Sequence, residues 1–261
     1  MLLTSVLAIF LVAGLSLVVA KARRSSVYAA MGGLDLGAVE ASSLRMPVAP
    51  DFTRLLYSMP DILAADEWLK ITDEARKLVD TERSYLPTHK KGGTVAYETL
   101  CAKAPAIVAL YRSAAMRELV SRIVGEPVSV TPVHDQSSCS VLFYERPGDH
   151  IDWHYDHNFY HGRHFTVLIV LDNLGRSRDG LSAARLLVKD GDGERIVPTP
   201  PNTLVAFEGA KVLHKVTPIA DGERRTMLSM TFSTDPTNTT FQGVARRMKD
   251  MAFFGVRALW T

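Results

Sequence analysis

Seven short runs rich in β-branched and aromatic residues follow one another through the second half of the chain: residues 139–144, 150–156, 165–171, 185–189, 203–207, 212–217 and 225–232. Turn-forming residues separate them, at Pro147-Gly148, at Asp190-Gly191-Asp192-Gly193 and at Asp221-Gly222. Many short strands closed by such turns argue for a sandwich or barrel. Asp190 to Glu194 fails the spacing of a calcium loop of the EF-hand kind and reads as a hairpin turn.

The flanking segments carry a helical period instead. Ile62, Leu63, Trp68, Leu69, Ile71 and Leu78 recur at helix spacing after Ser58-Met59-Pro60-Asp61, with acidic residues early and Arg76 and Lys77 late, as the helix dipole favours. A second helical stretch runs from about Pro105 to Val124 and stops at Gly125-Glu126-Pro127. Residues 240–260 predict a last helix, with Phe241, Val244, Met248 and Met251 on the side that packs on the barrel. An interfacial role for Phe253, Phe254 and Trp260 is the alternative. The expected architecture is mainly β with flanking α-helices. Its parts are a hydrophobic segment at 1–24, a linker at 25–50, helical support over 51–128, a β core over 129–235 and a helical tail over 236–261.

A chain of 261 residues suits one catalytic domain with appendages. A net charge of +2 with no basic run gives no case for a nucleic-acid partner. Cys101 and Cys139 form no disulfide framework. A single bridge between them stays open, with two buried free thiols as the expectation. Leu2 to Ala20 is uncharged and is closed by Lys21, Arg23 and Arg24. That length is near the roughly 20 residues a membrane-crossing helix needs, so a single-pass anchor is expected, with a cleaved signal peptide as the rival. The basic flank favours a cytosolic catalytic domain.

Chemistry concentrates in His154-Tyr155-Asp156, followed by His214 and then by Arg224. Two imidazoles and one carboxylate make a three-donor facial site that leaves positions open on iron. A guanidinium can grip a carboxylate through two parallel hydrogen bonds. His150-Ile151-Asp152 is a rival pair, because in an extended strand His150, Asp152, His154 and Asp156 share one face. Zinc held by the histidine cluster is a further alternative. His157, His161 and His164 read as loop or rim residues.

The order Tyr144-Glu145-Arg146-Pro147-Gly148, His154-x-Asp156, the apolar run Phe165 to Leu171, His214-Lys215-Val216-Thr217-Pro218 and Gly222 to Thr226 resembles the Fe(II)/2-oxoglutarate dioxygenase superfamily, within it the prolyl-4-hydroxylase-like branch. The resemblance spans roughly residues 55–234. It implies a double-stranded β-helix, a jelly-roll or cupin-like barrel with N-terminal buttressing helices and the metal site at its mouth. It also implies Fe(II) on His154, Asp156 and His214, and 2-oxoglutarate held by Arg224, Thr226 and Tyr144. Spacing from Gly148 and to the 165–171 run matches the family for His154 and Asp156 and not for the earlier pair. Asp179-Gly180-Leu181-Ser182 departs from the family's Gly-Gly-x-Leu turn, and Val170 stands where some relatives carry a second tyrosine.

The implied activity is hydroxylation of an unactivated C–H bond of a peptidyl-proline, amino-acid or other small-molecule substrate. It uses O2 and, as reductant, ascorbate (vitamin C), and releases succinate and CO2. Halogenating relatives replace the carboxylate ligand with a small residue, whereas this chain keeps Asp156. A non-catalytic cupin-like metal- or ligand-binding protein is the alternative from another class. Membrane-anchored relatives place this domain in the endomembrane lumen, where the sequon Asn238-Thr239-Thr240 would be usable. A lumenal domain on a membrane anchor is therefore expected.

Overall fold

The computed structural model describes residues 43–78, 82–86, 89–191 and 193–254, with scattered positions between 11 and 29. Among the described residues, twelve strands form one antiparallel sheet that curls around a cavity, and helices cover its outer side. The strands are β1 (Leu56–Met59), β2 (Glu82–Leu86), β3 (Lys90–Val95), β4 (Ser129–Val130), β5 (Cys139–Tyr144), β6 (His150–His154), β7 (His164–Leu174), β8 (Leu186–Asp190), β9 (Gly193–Val197), β10 (Leu204–Glu208), β11 (His214–Val216) and β12 (Arg224–Ser233). Ten of them run across the sheet in the order β1-β10-β7-β12-β5-β3-β6-β11-β8-β9, while β2 pairs with β3 and β4 with β12. This is the double-stranded β-helix.

Strand β7 lies between β10 and β12 and is buried from His164 to Asn173. Both of its faces are covered, which explains an apolar run without alternation. Phe165, Val167, Ile169 and Leu171 join the core under the helices, while Leu168 and Val170 join a second core inside the barrel. The hairpin expected at Asp190–Gly193 joins β8 to β9.

The helices are α1 (Ala65–Arg76), α2 (Tyr97–Lys103), α3 (Pro105–Arg112), α4 (Ala114–Val124) and α5 (Thr240–Phe254). Ile107, Leu110, Met116, Leu119 and Val120 are fully buried against the outer sheet face. Each such side chain contributes roughly 1.5–3 kcal/mol by leaving water.

Several sequence expectations are corrected. The stretch 105–124 is two helices, not one: Ser113 takes an extended backbone, and its hydroxyl accepts from Met116 N at 3.0 Å to cap α4. Ser58 and Met59 belong to strand β1, and the helix that follows starts at Ala65. The support region also holds β2 and β3, and β3 lies inside the sheet between β5 and β6. Helix α5 is turned over: Phe241, Val244 and Met248 are exposed, while Arg246 and Asp250 are fully buried. Its charged side packs on the barrel because every charge there finds a partner in the loop before β5 or on α5 itself. Arg246 donates to His134 O at 2.6 Å and to Asp250 Oδ2 at 2.7 Å, and Lys249 donates to Ser137 Oγ at 2.8 Å.

The membrane placement is also corrected. No helix of the described residues is long and apolar enough to cross a membrane, so the single-pass anchor and the lumenal domain built on it are not supported. Much of the 2–20 run, residues 2–10, 13, 17 and 20, lies outside the described residues, as does Trp260. Cys101 and Cys139 are buried free thiols.

Candidate active site

Strands β6 and β11 are cross-strand neighbours, and their pairing sets His214 opposite His154. The next paired positions are Val216 and Ile151, so two steps on β11 oppose three on β6. This bulge breaks the alternation of β6. Ile151 and His154 both line the cavity, whereas His150 and Asp152 do not. Asp152 is exposed, and His150 Nδ1 turns to Gly148 O at 2.8 Å. The backbone thus separates two His-x-Asp pairs that strand parity alone could not.

Each imidazole is oriented by its far nitrogen. His154 Nδ1 donates to Asp152 O at 2.7 Å, and His214 Nδ1 donates to Val212 O at 2.9 Å. A backbone carbonyl only accepts, so both rings carry a proton on Nδ1, and Nε2 is the nitrogen each turns toward Asp156. Those two Nε2 atoms lie 3.7 Å and 3.8 Å from Asp156 Oδ1. The three residues bring one donor atom each within 4.8 Å of one another, a group that could hold a metal ion. Two imidazole nitrogens and one carboxylate oxygen suit a divalent first-row metal. Burial, with His214 close by, pushes the His154 pKa down to about 4, so this imidazole is neutral at pH 7.

Asp156 lies just beyond β6 and is tied in place. Its N–H donates to Gly209 O at 3.0 Å, and its Oδ2 accepts from Thr166 Oγ1 at 2.6 Å. Burial works against the carboxylate charge, but His214, His154 and the Thr166 hydroxyl outweigh it and hold the pKa below the usual range. A Cβ at position 209 would lie 2.5–2.9 Å from Asp156 side-chain atoms, so only glycine admits the carboxylate there.

Arg224 and Thr226, the expected anion-binding pair, are not on the cavity. Arg224 is half exposed and its Nε donates to Asp172 Oδ2 at 2.5 Å, a carboxylate that Arg76 of α1 also approaches at 3.6 Å. Thr226 sits opposite Phe143, whose ring belongs to the core under the helices. Arg225 points inward. It is 1% exposed and lies opposite Tyr144 on β5, with its guanidinium carbon 5.8 Å from the ring centroid. Its Nε and Nη1 have no hydrogen-bond partner. Burial lowers its pKa to about 10, which leaves it charged at neutral pH. Burial also raises the Tyr144 hydroxyl to about 12.

One cavity of about 180 Å³ therefore holds the three donors, Tyr144 and the unpartnered guanidinium. His157 and His164 line it too, while His161 turns to Thr237 outside. Sequence reasoning missed Thr166, Arg225, Lys90, and Lys249 and Phe253 of α5, all of which line this cavity. The signal for Arg225 was present. Leu228, Met230 and Phe232 share the parity of Arg224 and are the large apolar residues that face the helices. Arg225 shares its parity with the smaller Ser229 and Thr231, which line the cavity.

Comparison with known proteins follows this geometry. The model of the 2OG-Fe(II) oxygenase superfamily matches residues 139–232, and that of the family described as Halogenase D matches residues 53–172. No curated protein matches the sequence. A prolyl hydroxylase from Trichoplax adhaerens, solved with a hypoxia inducible factor oxygen degradation domain peptide fragment, aligns with a TM-score of 0.56 and 17% identity over 69% of this chain and 84% of that one. A prolyl-4-hydroxylase from Pseudomonas putida gives 0.54 and 20% over 71% and 96%. The non-heme alpha ketoglutarate dependent carbocyclase SnoK from nogalamycin biosynthesis gives 0.58 and 14% over 80% and 93%. These likenesses establish the fold. The superfamily model runs from β5 to β12, strands that wall the cavity of this barrel, and together with the three donors it supports placing the chain in the 2OG-Fe(II) oxygenase superfamily, as a 2-oxoglutarate-dependent non-haem iron enzyme.

Proposed function

We propose that the chain is a hydroxylase that holds Fe(II) on His154 Nε2, Asp156 Oδ1 and His214 Nε2 and binds the distal carboxylate of 2-oxoglutarate through Arg225. The observation that carries this reading is the buried guanidinium. A fully buried cation with two unpartnered N–H groups is costly unless an anion completes it. Arg225 opens on the same cavity as the three donors, so one dicarboxylate can reach both ends. Tyr144, beside Arg225, offers a phenol that stays protonated at neutral pH and so can donate to the same cosubstrate.

Bound Fe(II), with 2-oxoglutarate and O2, supplies the oxidising power for C–H hydroxylation as the cosubstrate leaves as succinate and CO2. The chain's own residues hold and orient. The carbonyls of Asp152 and Val212 fix the two imidazoles, and Thr166 fixes the carboxylate. Apolar Leu142, Ile151, Leu168, Phe207 and Met227 line the cavity and limit water around the reacting centre. The likeness to Halogenase D does not carry halogenation across, because Asp156 already supplies the third donor.

The test is succinate formation from 2-oxoglutarate with Fe(II) and ascorbate, beside direct measurement of 2-oxoglutarate binding. Slow uncoupled turnover is expected without the true substrate, and it should vanish in His214→Ala. Absence of both binding and succinate in the wild-type protein would overturn the assignment.

A further inference from the structure

The cavity holds a second buried cation that the cosubstrate does not account for. Lys90, the first residue of β3, is 6% exposed and faces the cavity. Its Nζ donates to Thr94 Oγ1 at 3.1 Å and lies 5.2 Å from the Phe253 ring centroid. No carboxylate of the described residues comes within ion-pair distance of it. The other charges around the cavity are those of Lys249, Asp135, Asp156 and Arg225. Lys249 lies 3.1 Å from Asp250 and 3.6 Å from Asp135. Asp156, whose charge also favours the Lys90 ammonium from beyond ion-pair distance, belongs with the two histidines, and the unpartnered Arg225 is the cation assigned to the cosubstrate.

We propose that Lys90 receives the carboxylate of a small organic-acid substrate, in the chamber between the three donors and α5. This rests on reading the site as that of a 2-oxoglutarate oxygenase. Burial and the charge of Lys249 bring the Lys90 pKa down to about 8, which leaves an ammonium at neutral pH with little solvent to screen it. An incoming carboxylate supplies the missing countercharge, and Ser137 and Ser140 on the same wall offer further hydroxyls. The chamber is walled on this side by Lys249 and Phe253 of α5, a helix pinned through Arg246 to His134 O. That fixed wall favours a molecule that diffuses in whole over a long peptide laid across an open groove.

The test uses the full chain loaded with Zn(II) and saturated with 2-oxoglutarate, titrated by calorimetry with a panel of small carboxylic acids, each beside its own primary amide. At least one acid should bind the wild-type protein tenfold or more tightly than its amide. That preference should disappear in Lys90→Met and persist in Lys90→Arg, while 2-oxoglutarate affinity in Lys90→Met stays within threefold of wild type. Lys90→Met should also melt at a higher temperature than wild type without ligand, because it removes an unpaired buried charge. The proposal is overturned if no acid is preferred over its amide, if the preference survives Lys90→Met, if 2-oxoglutarate binding falls tens-fold in that variant, or if the variant melts lower. Failure of 2-oxoglutarate to bind the wild-type protein would instead sink the reading of the site itself.

Discussion

Tyr144 and Arg225 stand opposite each other on β5 and β12, with the guanidinium carbon 5.8 Å from the centre of the phenol ring. The pairing aims the arginine into the barrel and leaves its neighbour Arg224 outside, paired with Asp172. Arg225→Ala should raise the Kd and KM for 2-oxoglutarate by tens-fold or more, since losing a buried charge-assisted contact costs on the order of 2–5 kcal/mol. Arg224→Ala should leave both constants unchanged and lower stability by about 1 kcal/mol or less, as expected for a half-exposed ion pair. Isothermal titration of the two variants decides between them, and the reverse pattern would return the role to Arg224.

The bulge in β6 makes a sharp distinction between the two His-x-Asp pairs. His154→Ala and His214→Ala should each lose bound iron and succinate formation while keeping the β-rich circular dichroism of the wild type. The double variant His150→Ala/Asp152→Ala should keep both. Metal analysis after dialysis would show it, and iron retained by His154→Ala would contradict the assignment.

Asp156 is held from both sides, by the Thr166 hydroxyl and by the open backbone at Gly209. Thr166→Val should weaken metal binding by about 10- to 100-fold, the usual effect of removing a partner that orients a ligand. Gly209→Ala should be more severe, because the added methyl occupies the place of the carboxylate. Iron titration of the two proteins should rank them in that order; equal affinity in Gly209→Ala and wild type would mean the loop yields easily.

Acid should destabilise the metal-free protein in a defined window. The folded state keeps His154 neutral down to about pH 4, whereas the unfolded chain takes up a proton near pH 6.5. Between these values the unfolded state binds more protons, so stability falls as pH falls through the window, by up to about 3 kcal/mol from this residue. Urea unfolding at pH 7 and pH 4.5 measures the loss, which should shrink in His154→Gln. An unchanged pH dependence in that variant would contradict the account.

Much of this was legible in the sequence, for identifiable reasons. Turn residues and alternating runs located most of the strands, and the donor residue types with their spacing located His154, Asp156 and His214. The strand β3 was not legible, because Lys90 to Thr94 carries lysines and glycines in place of the usual β-formers. Its Gly92 would hold a Cβ only 3.1 Å from Phe143 O, so close strand packing and not propensity selects that residue. The inverted face of α5 was hidden because the buried Arg246 and Asp250 and the half-buried Lys249 find partners in the distant segment 134–137. That Arg225 and not Arg224 reaches the cavity could have been read from the apolar parity of Leu228, Met230 and Phe232, which marks the opposite face.

Helix α5 has a consequence for the order of events during synthesis. The metal donors and Arg225 are all made before residue 226, yet Lys249 and Phe253 complete the wall around them more than twenty residues later. A nascent chain released up to β12 can assemble its donor set with one side of the chamber still missing. Competence to gather the reactants and competence to enclose them are therefore acquired at different times. A product halted before Thr240 would keep the three donors and Arg225 but leave the side of the chamber beyond Lys90 open to water.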